Sequence, residues 1–295
     1  MKSLRTVMGF EPTHEIGEIY SPSKTALKSA VKDKTEYDYT TFDNPCTENN
    51  LKVLIIGTEK EHLEMENGKI FLTGNHPVEL FVPMLHLKKA GFDFDFATPT
   101  GKSLKLEHWA MPKDDSEVLG IYDQYKSKIE KPFTLTQARK NTQENPYVAI
   151  FIPGGHGAVM DLPDNLEVKE IIQWAQKNNK LILSICHGPA AFLSATIGED
   201  KESFTFNGYK IAAFPDGMDR LLPSMGYLPG RMPLYFGEKL QEFGVDIINK
   251  FATGNVVQDR NLITGDSPKA ANKLGKLAAI ELLKQIYNKE YQYAK

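Results

Sequence analysis

Short, wholly apolar segments alternate along this chain with segments of helical spacing. Leu51–Gly57 (LKVLIIG) and Tyr147–Pro153 (YVAIFIP) are apolar at most positions, whereas the apolar residues of Pro77–Ala90 recur at the spacing of a helix. A strand that lacks polar alternation is typical of a sheet covered on both faces. The alternation therefore predicts an α/β fold, a doubly wound parallel sheet sandwiched between helices.

Further strands and helices continue this pattern towards the end of the chain. We predict strands at Phe92–Thr98, from Leu181 to Cys186, at Lys210–Phe214 and at Asn261–Thr264, and helices around 165–178 and after Asp266–Ser267–Pro268. In the last helix, apolar residues form a stripe: Leu274, Leu277, Leu282 and Ile286. Right-handed crossovers place the ligand crevice of such a sheet at the carboxyl ends of its strands.

Two segments depart from the alternation. Residues 1–50 are polar with little periodicity, which predicts an N-terminal arm, so that the main domain spans 51–295. The charged segment at about 101–145 is too long for a simple connection between a strand and a helix. We interpret it as an insertion that forms a small cap or lid.

Composition excludes several classes of protein. The net charge of −3 argues against a general phosphate-binding surface, so no nucleic-acid surface is expected. The two cysteines, Cys46 and Cys186, form no disulfide framework and no zinc-ribbon spacing, which fits a reducing compartment. Neither a signal-peptide core nor an apolar run of membrane-spanning length is present, and we expect a soluble cytoplasmic protein.

Cys186 carries the strongest signal for chemistry. It follows the apolar run LILSI and precedes HGPAAF, a pattern that indicates a strand turning sharply into a helix. A thiol at that turn is expected to be exposed and to face the positive end of the helix, which stabilises a thiolate and lowers the pKa from about 8.5. His187 is the neighbouring candidate base or oxyanion donor. The alternative is a buried structural cysteine.

The glycine-rich loop PGGHGA ends the preceding strand at the same edge. It lacks the Gly-Lys-Ser/Thr of a P-loop and the spacing of a dinucleotide-binding loop. Beside a cysteine nucleophile it supplies N–H donors to an oxyanion, or else it is only a tight turn. All seven histidines lie at or before His187, which excludes the downstream His-x-Glu of a glutamine amidotransferase.

Three acidic residues are candidates by position. Asp216 and Asp219 follow a short strand and could orient a ring nitrogen of His187. Glu79 lies near the start of the first long helix, where a raised pKa would let it share a proton with the thiol. A solvated surface carboxylate is the ordinary alternative for each of them.

Six blocks together resemble the HchA-type branch of the ThiJ/PfpI superfamily, and they occur in that family's order. They are GNHPVE, IPGGHGA, SICHGPAAF, AFPDGMD, GYLPG and LITGDSP. The resemblance implies a flavodoxin-like sandwich with a small cap, found as a homodimer. By these motifs, the resemblance implies that Cys186 is the nucleophile and His187 its neighbouring base. It implies Asp219, rather than Asp216, as the third residue of this catalytic set. Glu79 matches the acidic residue that hydrogen-bonds the cysteine. Gly154 and Gly155 match the oxyanion region.

Some members of this branch hold a metal ion with two histidines and a carboxylate. The matching positions here are Lys88, Asp93 and Tyr125, of which only Asp93 is a suitable ligand. A lysine ammonium repels a cation. We therefore predict no metal at that site, and no cofactor.

The resemblance also implies activity. It indicates a glutathione-independent glyoxalase that converts methylglyoxal to D-lactate, a deglycase that acts on methylglyoxal-glycated proteins and nucleotides, or both. The expected partners are small dicarbonyls or glycated adducts. The alternative is a stress-induced holding chaperone that binds unfolded proteins through an exposed apolar patch, with Cys186 as a redox-sensitive residue. A third hypothesis, by analogy with the superfamily, is that the protein is a peptidase.

Overall fold

A computed structural model of the protein describes residues 9–47, 51–144 and 147–293. Its centre is a seven-stranded sheet in the order β12-β13-β9-β8-β3-β6-β7. The strands are β3 (Lys52–Ile56), β6 (Asp93–Thr98), β7 (Phe133–Thr134), β8 (Tyr147–Ile152), β9 (Leu181–Ile185), β12 (Val256–Asp259) and β13 (Leu262–Gly265). Only the pairing of β12 with β13 is antiparallel. The predicted α/β sandwich is confirmed.

Helices cover both faces of this sheet. The longer ones are α2 (Pro77–Lys89), α3 (Ser116–Glu130), α6 (Leu166–Lys177) and α9 (Ala271–Tyr293). Shorter ones are α1 (Lys24–Ala30), α4 (Leu135–Asn141), α5 (Ala158–Asp161), α7 (Asp216–Asp219) and α8 (Phe236–Glu242). Two clusters of buried apolar side chains form the core, one on each face of the sheet. The central strands are therefore apolar on both sides, which is why they lack polar alternation.

The predicted stripe on the last helix is confirmed. Leu274 and Leu282 are buried in one core cluster, and Leu277 and Ile286 pack against it from the edge. The predicted strand at 210–214 is shorter than expected. Only Lys210–Ile211 (β10) is a strand, and it pairs with β11 (Asp246–Ile247) in a separate two-stranded sheet.

The N-terminal segment joins a second, small sheet. Its strands β1 (Thr13–Ile16) and β2 (Ile19–Ser21) stand beside β5 (Ile70–Leu72) and β4 (His62–Glu64), in the order β1-β2-β5-β4. The division of the chain into an arm at 1–50 and a catalytic domain at 51–295 stays a prediction. Residues 1–8 and 48–50 of that arm lie outside the described residues.

The described part of the segment predicted as a cap, 101–145, contributes strand β7 and helix α3 to the central fold, and its role as a cap stays a prediction. Strand β7 extends the sheet beyond β6, and α3 packs its buried side chains into the core beneath α2. The cause is the apolar face of α3, with Val118, Ile121, Tyr125 and Ile129 buried, which a lid on the surface would leave exposed. The part of this segment that approaches the crevice is around Glu107 and the 3-10 helix His108–Ala110.

Ile121→Ala tests this placement of α3. Because Ile121 is 4% exposed, we expect the truncation to lower the free energy of unfolding by about 2–5 kcal/mol, measured by urea denaturation. Lys126→Ala on the exposed face of the same helix is the matched control, with an effect within about 0.5 kcal/mol. Equal, small effects of the two substitutions would indicate a loosely attached lid.

Candidate active site

Cys186 lies at the carboxyl end of β9 in a left-handed backbone conformation, with φ of +58°. A residue other than glycine adopts this conformation only where its surroundings enforce it. Here the Cys186 amide donates to the Gly265 carbonyl at 2.8 Å, and its carbonyl accepts from the Phe214 amide at 2.9 Å. These bonds to two distant segments hold the sharp turn that the sequence predicted.

The segment after the turn is a 3-10 helix, Gly188–Thr196, rather than an α-helix. Gly188 is required there because a Cβ would lie 2.6 Å from the Ser184 hydroxyl and 2.9 Å from the Pro153 carbonyl. The first turn of the helix is thus pressed against the ends of β8 and β9. This close packing fixes the direction in which the chain leaves Cys186.

The thiol is buried, whereas the sequence led us to expect an exposed one. Cys186 is 6% exposed. Burial, and next the carboxyl of Glu79, raise the pKa of the Cys186 thiol well above its usual value. The prediction of a lowered pKa is therefore wrong, because it considered only the local turn and not the segments that cover the sulfur.

Glu79 comes from the first turn of α2 and is fully buried beside the thiol. Among the described residues, no N–H or hydroxyl group donates to its carboxyl oxygens. Burial raises the pKa of Glu79 to about 8, so the carboxyl carries a proton at pH 7. The two adjacent acids therefore titrate as a pair, and their mutual repulsion opposes the loss of both protons near neutrality.

His187 connects the thiol to Asp219. Its Nδ1 lies 3.3 Å from the Cys186 sulfur, and its Nε2 lies 3.0 Å from Asp219 Oδ2. A carboxylate accepts only, so Nε2 carries the hydrogen and Nδ1 presents a lone pair to the thiol. Burial lowers the pKa of His187, which keeps the ring neutral. Burial would raise the pKa of Asp219, but the contacts of its carboxylate with His187 and His156 lower it to about 2.

The structure distinguishes the two aspartates that the sequence left open. Asp216 accepts from the amides of Gly237 and Glu238 at the start of α8, at 3.1 and 2.7 Å. It therefore caps a helix, and it does not face His187. Asp219 is the carboxylate that contacts the ring, as the motif implied.

The backbone of the glycine loop packs directly against Cys186 at Gly154. A Cβ at Gly154 would overlap the Glu79 carboxyl and lie 2.7 Å from Cys186 Cβ. Gly155 has φ of +102°, and a Cβ there would lie 2.6 Å from the His76 amide. The loop is thus more than a turn, because both glycines are needed for contact with the site. The oxyanion role of Gly154 and Gly155 stays a prediction.

A cavity of about 580 Å³ opens above these groups. Its walls include the site residues Cys186, His187 and Glu79, the apolar side chains of Phe214 and Tyr227, and one face of helix α1. The N-terminal segment thus covers the crevice. Sites of this size hold ligands considerably larger than a three-carbon molecule.

Two further buried groups face the cavity, and the sequence did not single them out. His156 follows β8 in the glycine loop, and Glu107 precedes the 3-10 helix at 108–110. The sequence could have indicated His156, because it lies directly after the end of a predicted strand. It could not have indicated Glu107, which lies in a connecting segment without a motif.

Two groups of side chains bear on metal binding. In the described part of the chain, donor atoms of His156, His187 and Asp219 lie within 4.8 Å of one another. The contacts of Nε2 of each histidine with the Asp219 carboxylate account for this spacing. At the position where the resemblance suggested a metal, Asp93 accepts from Tyr125 at 2.6 Å and pairs with Lys88 and Lys128. Two ammonium groups disfavour a cation there.

Comparison with known proteins supports the resemblance read from the motifs. The model of the DJ-1/PfpI family matches residues 69–281. The chain belongs to this family. It is 43% identical over 265 residues to protein/nucleic acid deglycase 1 of Escherichia coli K12, covering 90% of this chain and 92% of that protein. It is also 43% identical over 275 residues to protein/nucleic acid deglycase HchA of Pseudomonas aeruginosa, covering 92% and 94%.

Solved structures show the same fold at lower identity. Glyoxalase III of Candida albicans has a TM-score of 0.61 and 22% identity, covering 78% of this chain and 96% of that one. Rapid encystment protein 24 kDa of Francisella tularensis has a TM-score of 0.66 and 19% identity, covering 78% and 98%. None of the helices in the described ranges has the length and apolar character of a membrane span.

Gly154→Ala tests the close approach of the loop. We expect the added methyl group to displace the loop or the thiol and to slow alkylation of Cys186 by iodoacetamide at least tenfold, followed by mass spectrometry of the Cys186 peptide. Gly120→Ala on the exposed face of α3 meets nothing within 4 Å and should leave that rate unchanged. An unchanged rate in Gly154→Ala would contradict the described packing.

Proposed function

We propose that the protein is a glutathione-independent glyoxalase and deglycase with Cys186 as its nucleophile. The observation that carries the proposal is the series of contacts from Cys186 through His187 to Asp219, with Glu79 beside the thiol. The relatives named as deglycases in E. coli and P. aeruginosa support the same activity.

The chemistry begins with the neutral His187, whose Nδ1 accepts the thiol proton. The sulfur adds to the aldehyde carbon of methylglyoxal, and the new oxygen takes up a proton, which gives a hemithioacetal. Donors at Gly154, Gly155 and the His187 backbone would stabilise the developing oxyanion. Glutathione is unnecessary because the protein supplies the sulfur.

Proton transfer then converts the hemithioacetal to a thioester. A base, either Glu79 or His187, removes the C–H proton from the carbon bonded to sulfur, and an enediol forms. Return of a proton to the adjacent carbon gives the lactoyl thioester, and water hydrolyses it to D-lactate and the free thiol. A carboxyl with a pKa of about 8 suits this step, because it gains and loses its proton near neutral pH.

The size of the cavity favours substrates beyond free methylglyoxal. A volume of about 580 Å³ leaves room for the arginine, lysine, cysteine or nucleotide part of a glycated adduct. We therefore include deglycase activity in the proposal. We further propose a cytoplasmic homodimer, as the family resemblance implies, with light scattering as the measurement of its mass.

A second candidate function is supported by an exposed apolar patch. Leu221 and Met225 after α7, and Ile248 and Phe251 after β11, are each at least half exposed. The two segments meet where the Ala252 amide contacts the Met218 sulfur at 3.2 Å, and both Met218 and Ala252 line the cavity. Such a patch suits a holding chaperone, which would act without Cys186.

Cys186→Ala tests the proposed enzyme. In the wild type we expect consumption of methylglyoxal and formation of D-lactate without glutathione, and in the variant no turnover, because the nucleophile is absent. Cys46→Ala is the matched control and should keep its activity. Absence of turnover in folded, reduced wild type would contradict the proposal. Suppression of aggregation that survives in Cys186→Ala would establish a separate chaperone surface.

A further inference from the structure

His156 occupies the centre of a buried chain of side chains beside the proposed catalytic set. Its Nδ1 lies 3.7 Å from Glu107 Oε1, and its Nε2 lies 3.5 Å from Asp219 Oδ1. His187 Nε2 contacts both oxygens of Asp219, at 3.0 Å from Oδ2 and 3.2 Å from Oδ1. Asp219 thus lies between two histidine rings, and His156 lies between two carboxylates.

Neighbouring groups fix the His156 ring in this place. Its own backbone amide donates to Glu107 Oε1 at 3.2 Å, and the Thr73 hydroxyl donates to the same oxygen at 2.7 Å. The ring packs edge-on against Phe71, with 5.5 Å between centroids, and lies 4.1 Å from the His187 ring. The side chain is 6% exposed, so water does not screen these contacts.

The charges around His156 favour its protonated form. Burial alone would lower the pKa of His156, but the carboxylates of Asp219 and Glu107 raise it to about 9. The other titratable groups around it include His187, His76, Glu79 and the phenol of Tyr227, whose ring centroid lies 5.7 Å from that of His156. Burial lowers the pKa of His76 to about 4, so this ring is neutral. His156 is thus the positively charged group of the cluster at pH 7.

We propose that His156 is a positioning residue of the active site. Its imidazolium ring, held between Glu107 and Asp219, fixes the Asp219 carboxylate against His187 and places one positive charge beside Cys186. Without that charge, two buried carboxylates would stand near the thiol and oppose its ionisation. The inference rests on the roles given to Cys186 and His187 in the proposed function.

The test is the pH dependence of Cys186 alkylation by iodoacetamide from pH 6 up to about pH 12, followed on the Cys186 peptide by mass spectrometry. His156→Gln removes the positive charge, so we expect the midpoint to rise by about one pH unit and alkylation below it to slow about tenfold. Glu107→Gln removes a negative charge near the same ring, so its midpoint should not rise. His62→Gln, on the surface of β4, should behave like wild type.

The two variants distinguish a charged role from a merely structural one. Slower alkylation in both, without a shift of the midpoint in His156→Gln, would overturn the proposal. If His156→Gln does not unfold cooperatively and is therefore misfolded, nitrogen NMR of the His156 ring in the wild type replaces this variant. A neutral His156 at pH 7 would also overturn the proposal. Alkylation needs no dicarbonyl substrate. A raised midpoint in a protein without glyoxalase turnover would therefore uphold this inference and count against the proposed function alone.

Discussion

The rest of the site depends on one unfavourable contact, the burial of the Cys186 thiol beside the Glu79 carboxyl. Burial opposes the ionisation of both acids and the Glu79 carboxyl raises the pKa of the thiol further, whereas the hydrogen bond from the thiol lowers the pKa of Glu79. The pair therefore holds a proton that can move between oxygen and sulfur near neutral pH. A group that accepts a proton and then returns it is what the proposed proton transfer requires.

The fold stabilises this arrangement by bringing the carboxyl ends of β8, β9 and β13 to one edge of the central sheet. Cys186 is fixed by bonds to Gly265 and Phe214, and the glycine loop after β8 packs against it without side chains. Backbone strain at Cys186 costs roughly 1–3 kcal/mol, which the surrounding hydrogen bonds and the packed sheet offset.

Much of the fold was accessible from the sequence, since fully buried strands and amphipathic helices differ clearly in their apolar spacing. The turn at Cys186 and the candidates His187, Asp219 and Glu79 followed from strand ends and motifs. Choosing Asp219 over Asp216 needed the motif, because both lie just past the same short strand. The capping bonds of Asp216 to α8 involve residues about 20 positions away and leave no local signal.

The exposure and pKa of the thiol could not be predicted in the same way. Both depend on α1, α2 and the glycine loop, which cover the sulfur from distant parts of the chain. Glu107 and its contact with His156 are likewise set by packing between segments 49 positions apart. The cap at 101–145 stays a prediction; the length of the segment suggested an insertion, and the buried face of α3 attaches the described part of it to the core.

Titration of the thiolate absorbance at 240 nm tests whether the Cys186 thiol and the Glu79 carboxyl share a proton. Cys186→Ala serves as the blank, which subtracts the contribution of Cys46. Because the Glu79 carboxyl raises the pKa of the thiol, Glu79→Gln should bring the thiolate midpoint down by at least about one pH unit. A midpoint that stays unchanged or rises would show that the thiol and the carboxyl do not share a proton.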